Sequence, residues 1–369
     1  YIETTTAPVA GGILEDMPRI SYHDPSSENG LSACGHILLE PSRTNLAINE
    51  YGFSVFSGAS ISSADVTNPF GDNTDVFEVS YSSVGGFRLN QNVQVNVGVT
   101  YCMGHFMKFN NSEITILANG AASATLSANG SFSFDVLGNP SKTGDVYFIK
   151  YPNGWYYVYA LTTGLLNGST KVNWQSSAGS ILVCKSQYET NPNGTSITYP
   201  TSYIPTYGVS QTRLKDVLDS NADLSNYFGN GQGTFYFEFA DQPYKYFSSN
   251  ETINLGLRDG DYQLGLVGRS TLQFFTFTNF PTINQFINNV TGGIAVARKY
   301  LLKWNGSEVR CYVNGEFQFE FSYSVDFQPN NFGRNGSGYD NTFGELFSQM
   351  LFFPTALSDE ECIALTTIT

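Results

Sequence analysis

The amino-acid sequence predicts an all-β protein made of two tandem β-sandwiches of the jelly-roll type, with an extended N-terminal lead-in and a short C-terminal helix. Three observations support this prediction. Only 14% of the 369 residues are charged, against roughly 25% in typical globular domains. Aromatic residues make up 15% and glycine occurs 36 times, as expected for strands joined by many turns. Apolar and polar residues also alternate over long stretches, which is the pattern of half-buried strands.

The chain divides into three parts. At about 150 residues per domain, its length allows two or three domains. Residues 1–45 contain four prolines and few alternating stretches, so they are predicted to form an extended lead-in. Residues 46–206 are predicted to form the first sandwich. The second sandwich is assigned to residues 207–369, after a connector at 199–207 that contains two prolines.

Several segments alternate so that one face of a strand is apolar, and in one of them the sequence also predicts the turn between two strands. Asn314 and Gly315 supply the two positive-φ positions of a type I′ turn, which predicts a hairpin. The alternating apolar residues on either side of this turn are Val309, Cys311, Val313, Phe317, Phe319 and Phe321. Other single faces are formed by Phe87 and Leu89, by Trp155, Tyr157 and Tyr159, and by Phe235, Phe237 and Phe239.

The C-terminal segment 357–362 predicts the helix. Ser358 can accept a hydrogen bond from the backbone N–H of Glu361, and the Glu361 carboxylate can reach back to the Ser358 N–H. Leu357 and Cys362 occupy the positions of a hydrophobic staple. These features together predict a helix that begins just after Ser358.

Charge, hydropathy and cysteine content each exclude a class of protein. With 18 Lys and Arg against 32 Asp and Glu, the net charge is −14, and no basic stripe is present, so nucleic-acid binding is not expected. No apolar stretch reaches the length of a membrane-spanning helix, so membrane insertion is not expected either. The five cysteines are widely spaced and are interpreted as core residues rather than as disulfide partners or zinc ligands.

Because the chain begins at Tyr1, we expect a processed or truncated product that lacks an N-terminal part.

Seven motifs resemble, in the right order, segments of tailed-bacteriophage virion proteins. The residues 38–46 (LLEPSRTNL) resemble the signature that opens a carbohydrate-binding-module-like β-sandwich in that family. The supporting motifs are 17–22 (MPRISY), 155–158 (WYYV), 185–189 (KSQYE) with 200–206 (PTSYIPT), 212–217 (TRLKDV), 312–315 (YVNG) and 357–361 (LSDEE). The last three resemble the entry, hairpin and end of a concanavalin-like or laminin-G-like domain. The chain departs from the family pattern at Lys185-Ser186, where Gly-Ala is usual, and at Lys215, where Ala is usual.

This resemblance implies a structural virion protein on the particle surface, a tail or head fibre or another appendage that contacts host surface glycans. It implies other virion proteins as partners and a homo-oligomer, with a trimer expected because fibre modules commonly sit on a threefold axis. Two alternatives stay open: a purely structural capsid or tail decoration without a ligand, and a polysaccharide-degrading depolymerase.

No pattern of catalytic residues is found. Glycosidases need two carboxylates about 5–10 Å apart, and in jelly-roll enzymes these usually come from a Glu-x-Asp-x-Glu strand, which this sequence lacks. Glu238 alternates with Phe237 and Phe239 and is interpreted as solvent-facing. His23, His36 and His105 show neither triad nor metal-ligand spacing. We therefore expect a protein that is not an enzyme.

Glycan contact is predicted for aromatic side chains in loops, because a ring can stack on a sugar face while polar neighbours bind its hydroxyls. The candidate carbohydrate-binding residues are Tyr244, Tyr246, Tyr339 and Trp174. Trp155 and Trp304 are interpreted as core anchors instead.

Calcium is considered as an optional ion, and no cofactor is required. Asp259, Asp261 and Asp340 could supply the hard oxygen ligands that calcium prefers. An Asp-Gly pair is also an ordinary turn signal. The sequence favours the turn and leaves a calcium site open.

Overall fold

A computed structural model shows the architecture of the chain. It describes residues 20–23, 31–40, 42–49, 51–110, 116–120, 127, 129–134, 139–176, 179–214, 219–220, 228, 231–239, 253–259, 262–269, 272–278, 285–286, 299–322, 331–333 and 345–367. Nearly all regular structure in these ranges is β-strand, with one short α-helix near the C-terminus. The predicted all-β class and C-terminal helix are therefore confirmed. No helix in the described ranges is long and apolar enough to cross a membrane.

The strands are numbered in chain order. The first group is β1 (Ile20–His23), β2 (Leu31–Leu39), β3 (Arg43–Asn45), β4 (Phe53–Phe56), β5 (Ala59–Ser63), β6 (Phe77–Tyr81), β7 (Gly85–Leu89), β8 (Val93–Val95), β9 (Thr100–Phe109), β10 (Ile116–Gly120), β11 (Asn129–Phe134), β12 (Pro140–Gly144), β13 (Val146–Lys150), β14 (Trp155–Thr163), β15 (Gly168–Thr170), β16 (Val172–Ser176), β17 (Gly179–Thr190) and β18 (Gln211–Arg213). The second group is β19 (Asp219–Ser220), β20 (Gln232–Phe239), β21 (Ile253–Asp259), β22 (Tyr262–Arg269), β23 (Leu272–Thr278), β24 (Gln285–Phe286), β25 (Lys299–Asn305), β26 (Glu308–Val313), β27 (Glu316–Ser322), β28 (Asn331–Gly333) and β29 (Glu345–Phe353). A 3₁₀ turn spans Pro152–Gly154, and the helix α1 is Asp359–Thr366.

The first sandwich is built from two large antiparallel sheets. One is six-stranded, in the order β12-β11-β10-β16-β7-β4, and the other is eight-stranded, with β13-β14-β9-β17-β3-β18 along its path and β5 and β6 attached through β17. Alternate residues of both sheets, among them Phe87, Trp174, Met103 and Val183, form the shared core. A second apolar cluster around Trp155 and Phe106 covers the other face of the eight-stranded sheet, so that sheet is buried on both sides.

The strands of the second group form two further antiparallel sheets, and β1 and β2 from the start of the chain join one of them. Their orders are β1-β2-β29-β20-β25-β26-β27 and β19-β28-β21-β22-β23-β24. The predicted hairpin is confirmed between β26 and β27, where Asn314 and Gly315 have φ values of 51° and 86°. Trp155 and Trp304 are both fully buried, in agreement with their interpretation as core anchors.

The three-part division stays a prediction, but strand pairing crosses both of its boundaries. Within the lead-in, β1 pairs with β2, and β2 pairs with β29 near the C-terminus. The strands β3 and β18 pair with each other and extend the eight-stranded sheet of the first sandwich. The strands β2 and β3 therefore belong to different sheets although they are close in sequence.

The helix α1 begins with the predicted capping box. Ser358 Oγ accepts from the Glu361 N–H at 3.2 Å, and the Ser358 N–H donates to Glu361 Oε2 at 2.8 Å. Asp359, the first helical residue, accepts hydrogen bonds from Lys303, from Arg310 Nη1 at 2.7 Å and from the Tyr312 hydroxyl at 2.7 Å. The Lys303 ammonium and then the Tyr312 hydroxyl hold the pKa of Asp359 below its usual range. The helix is therefore fixed to β25 and β26 by side chains of its first turn.

We expect Leu357→Ala to destabilise the protein more than Ser358→Ala does. Leu357 packs on the cluster of Tyr236, Leu301, Tyr312 and Cys362, and losing its side chain should cost about 2 kcal/mol. The exposed Ser358 cap is worth about 1 kcal/mol. Urea unfolding of both variants measures the order, with the exposed Glu360→Ala as a control expected within about 0.5 kcal/mol of wild type. The reverse order would show that the segment is not packed through Leu357.

Candidate functional site

Most of the predicted site residues lie outside the described ranges. This holds for Tyr244, Tyr246 and Tyr339 and for Asp261 and Asp340. Asp259 ends β21, where it pairs with Tyr262 across the hairpin, and its side chain is not among those described. The glycan contacts of these tyrosines and the calcium site stay predictions. Within the described residues, no group of three or more His, Cys, Asp or Glu side chains is arranged to hold a metal ion.

The prediction that Trp174 is a loop aromatic is wrong. Trp174 lies in the middle of β16 and is 0% exposed. Its strand is five residues long, and Trp174 points into the sandwich core, where its ring meets the edge of His105 at 6.0 Å between centroids. A wholly buried ring offers no face to a sugar. The flanking Asn173 and Gln175 suggested a loop, but they are the outward-facing partners of a strand.

These outward-facing residues belong to a polar surface on the six-stranded sheet. Asn173 on β16 is directly opposite Arg88 on β7, and Arg88 is directly opposite Ser54 on β4. Two residues further along, Gln175 and Phe56 flank the same surface. Their alternate neighbours form the core, so these five side chains share the opposite face. We call Ser54, Phe56, Arg88, Asn173 and Gln175 the polar face.

Three adjacent side chains of the polar face have polar atoms that are buried and unpartnered. These atoms are Ser54 Oγ, Arg88 Nε and Asn173 Oδ1. A buried polar atom without a hydrogen bond costs about 1–3 kcal/mol, and such atoms are few in native proteins. Three of the nine buried and unpartnered side-chain atoms of the described residues lie in this one cross-strand row.

An aromatic ring borders this row. Phe56 lies over Gly86, because a Cβ built at Gly86 would be 2.3 Å from the Phe56 Cζ atom. Glycine at position 86 thus allows the ring to rest on the sheet. The Arg88 guanidinium carbon is 5.6 Å from the centre of the Phe56 ring, a cation–π distance. The polar face therefore combines a hydroxyl, two amides and a guanidinium beside one half-buried ring.

Residues from several of the sequence motifs meet in a second, buried polar network. Glu40 accepts from the Ser202 N–H and from Ser202 Oγ, each at 2.6 Å. It also forms an ion pair with Arg213, 2.9 Å from Oε2 to Nη1. The carboxylate and guanidinium side chains are only 7% and 9% exposed. This pair joins residue 40, between β2 and β3, to the segment 199–206 and to β18.

Two further side chains hold the segment 199–206, which has no regular strand pairing. Gln187 donates to the Thr201 carbonyl at 3.0 Å and accepts from the Ile204 N–H at 2.6 Å. Glu189 accepts from the Thr201 N–H at 2.9 Å and from its hydroxyl. Side chains thus replace the missing backbone ladder. We call Glu40, Gln187, Glu189 and Arg213 the clasp.

Asn45 ties β3 to both the bulged strand β17 and the clasped segment. Its Nδ2 donates to the Ile204 carbonyl at 2.8 Å, and its Oδ1 accepts from the N–H groups of Ala47 and Tyr188. The side chain is fully buried and satisfied at both ends. Motifs that are far apart in sequence therefore share one structural role, because together they fix an unpaired segment against the sheet.

The buried titratable groups of this region are shifted by desolvation. Burial raises the pKa of Glu189 to about 7, against the opposing effect of the Arg43 guanidinium and the Thr201 hydrogen bonds. Burial lowers the pKa of His105 to about 3. His105 Nδ1 lies 2.8 Å from Ser186 Oγ, but both residues are 0% exposed, so no substrate can reach this pair in the structure. This agrees with a structural role for His105.

Neither a protein-family model nor a curated protein sequence matches the chain. Among solved structures, the CBM40 module of a Ruminococcus gnavus IT-sialidase bound to alpha2,3 sialyllactose is similar, at 20% identity and a TM-score of 0.29, over 41% of this chain and 93% of that one. Domains LG4-5 of the mouse laminin alpha1 chain are similar at 10% identity and a TM-score of 0.26, over 76% of this chain and 92% of that one. Trypanosoma rangeli sialidase is similar at 10% identity and a TM-score of 0.28, over 79% of this chain and 60% of that one. Similarity at this level assigns no function to this chain.

Proposed function

We propose that this protein is a non-enzymatic surface component of a tailed-bacteriophage particle, a fibre or appendage module that binds host surface glycans through the polar face. The virion location rests on the seven ordered motifs that resemble that family. The glycan ligand rests on the polar face, where the guanidinium of Arg88 and the amides of Asn173 and Gln175 lie beside the Phe56 ring. Arg88 and Asn173 are half-buried as residues, and a guanidinium and an amide can both donate hydrogen bonds to sugar hydroxyls.

The composition supports weak contacts repeated over many copies. The chain is acidic and rich in uncharged polar residues, and a single shallow site should bind at about millimolar affinity, or ~4 kcal/mol. Presenting many copies on one particle converts such contacts into firm attachment. The proposal includes a homotrimer because fibre modules commonly sit on a threefold axis, and a monomeric mass for the full-length chain by light scattering would contradict that part of it.

A purely structural decoration role is the second candidate, and the clasp favours it. The motif residues Glu40, Gln187 and Glu189 are engaged in holding the chain, so the motifs need no ligand to account for them. Glycan binding at the polar face distinguishes the two functions, because a purely structural decoration needs no ligand there. Release of reducing ends from host polysaccharide would instead support the depolymerase alternative.

Asn173→Ala and Gln175→Ala should each weaken glycan binding about three- to tenfold, the effect of losing one hydrogen bond. Binding is measured on a glycan array printed with host surface polysaccharide fragments, using the full chain. Gln94→Ala is the matched control, because Gln94 is exposed on β8 in a separate two-stranded sheet. Equal binding by all three variants and wild type would remove the polar face as the site. No binding by wild type to any glycan would favour the structural decoration.

A further inference from the structure

Arg88 is the one charged residue of the five that form the polar face. Its cross-strand neighbours Ser54 and Asn173 are uncharged, and so are Phe56 and Gln175 beside them. The guanidinium therefore faces a surface without a counter-ion among these residues.

Among the described residues Arg88 has no carboxylate partner, and a shortage of acidic residues does not explain this. The chain has 32 Asp and Glu for 18 Lys and Arg. Two other arginines in the described ranges take carboxylate partners: Arg213 pairs with Glu40, and Arg310 pairs with Glu308, Glu320 and Asp359. Arg88 forms neither an ion pair nor a hydrogen bond with the described residues, and its Nε is buried. Arg88 is half-buried as a residue, and a guanidinium without a carboxylate partner can bind an external anion through its N–H groups.

The side chains around Arg88 specify the shape of that anion. The guanidinium is a planar fork that binds a carboxylate through two parallel N–H···O bonds. The Phe56 ring centre is 5.6 Å from the Arg88 guanidinium carbon. Asn173 is directly opposite Arg88 on β16. A flat carboxylate next to sugar hydroxyls matches a guanidinium that stands beside an amide.

We infer that the glycan bound by the polar face is acidic, and that Arg88 binds the carboxylate of a sugar acid. This inference rests on the proposed glycan-binding function and adds the chemical class of the ligand. Arg88 then selects carboxylate-bearing glycans over their neutral counterparts, and Asn173 and Gln175 bind hydroxyls of the same or the next sugar.

The test is a glycan array in which each glycan that carries a uronic or sialic acid is printed beside the same glycan without the acid. Wild-type full chain should bind the acidic member about tenfold more tightly, or ~1.4 kcal/mol. The preference should shrink at high salt. In Arg88→Gln, which keeps hydrogen-bonding groups but loses the charge, the two members should bind equally. Arg88→Lys should recover only part of the preference, because an ammonium lacks the fork.

Lys108→Gln is the matched control, since it removes one positive charge from β9 in the other sheet and should keep the acidic preference. Melting curves of all variants confirm that each is folded. If wild type binds neutral and acidic members equally, or if Arg88→Gln keeps the preference, the carboxylate assignment is overturned while glycan binding stands. If phosphorylated or sulfated glycans alone are preferred, the carboxylate assignment is also overturned. If wild type binds no glycan, the proposed function fails first.

Discussion

Glu40→Ala is expected to destabilise the protein by about 3–5 kcal/mol, as removal of one partner of a buried ion pair does. The substitution leaves the Arg213 guanidinium without its carboxylate, and it leaves the Ser202 N–H and hydroxyl without the acceptor that each reaches at 2.6 Å. Because Glu40 stands between β2 and β3, which belong to different sheets, the loss should loosen the passage from one sandwich to the other. Urea unfolding followed by tryptophan fluorescence measures the change.

Glu320→Ala is the control for that experiment. It removes a carboxylate–guanidinium pair of similar length, 3.1 Å from Arg310 to Glu320, but these side chains are 31% and 52% exposed. Exposed pairs contribute about 0–1 kcal/mol. If Glu40→Ala proves too unstable to purify, Glu40→Gln keeps the size and one acceptor and should fall between the two. Equal effects of Glu40→Ala and Glu320→Ala would show that the clasp does not stabilise the fold.

Glu189→Gln is expected to change how stability depends on pH. Burial raises the pKa of Glu189 from 4.5 to about 7, so between these values the folded state binds a proton that the unfolded state has released. The stability contributed by this group is therefore fully present below pH 4.5 and is lost as the pH rises through 7. At about 1.36 kcal/mol per pKa unit, the loss is on the order of 3 kcal/mol.

The contribution of His105 to the free energy of unfolding changes with pH in the opposite direction, so it must be separated from that of Glu189. Its pKa falls from 6.5 to about 3 on folding, so its contribution is present above pH 6.5 and is lost as the pH falls toward 3. Between pH 4.5 and 6.5 the two contributions oppose each other in wild type. Subtracting the wild-type free energy of unfolding from that of Glu189→Gln at each pH removes the His105 contribution. This difference should increase from pH 4.5 to about 7 and stay constant above it, whereas a flat difference would contradict the raised pKa.

Local signals in the sequence were sufficient for part of the fold. The Asn314-Gly315 turn is predicted from the residues that tolerate positive φ, and the capping box of α1 from Ser358 and Glu361 three positions apart. Both depend on contacts within a few residues, so tertiary context does not change them. The alternation around Phe87 and Phe235 likewise predicts strands with one buried face, and both rings are 0% exposed.

The candidate site could be predicted only in part. The alternation in residues 85–89 and 172–176 shows that Arg88, Asn173 and Gln175 point away from the apolar face. It does not show that β7 and β16 are neighbours, because their pairing joins residues more than eighty positions apart. Without that pairing, Trp174 between two polar residues resembled a loop aromatic, and the three unpartnered polar atoms were not recognisable as one row.

The all-β class, the turn-rich organisation, the β26–β27 hairpin and the C-terminal helix follow from the order of the amino acids alone, because each depends on periodicity or on contacts between near neighbours. The folded chain was needed to learn that β2 joins β29, that Glu40 and Arg213 meet across 173 positions, and that Arg88 lies between Ser54 and Asn173. These are long-range pairings, and a strand's own residues specify which face is apolar without specifying which strand lies beside it. The polar face and the clasp both arise from such pairings, which is why folding had to bring their residues together before either could be recognised.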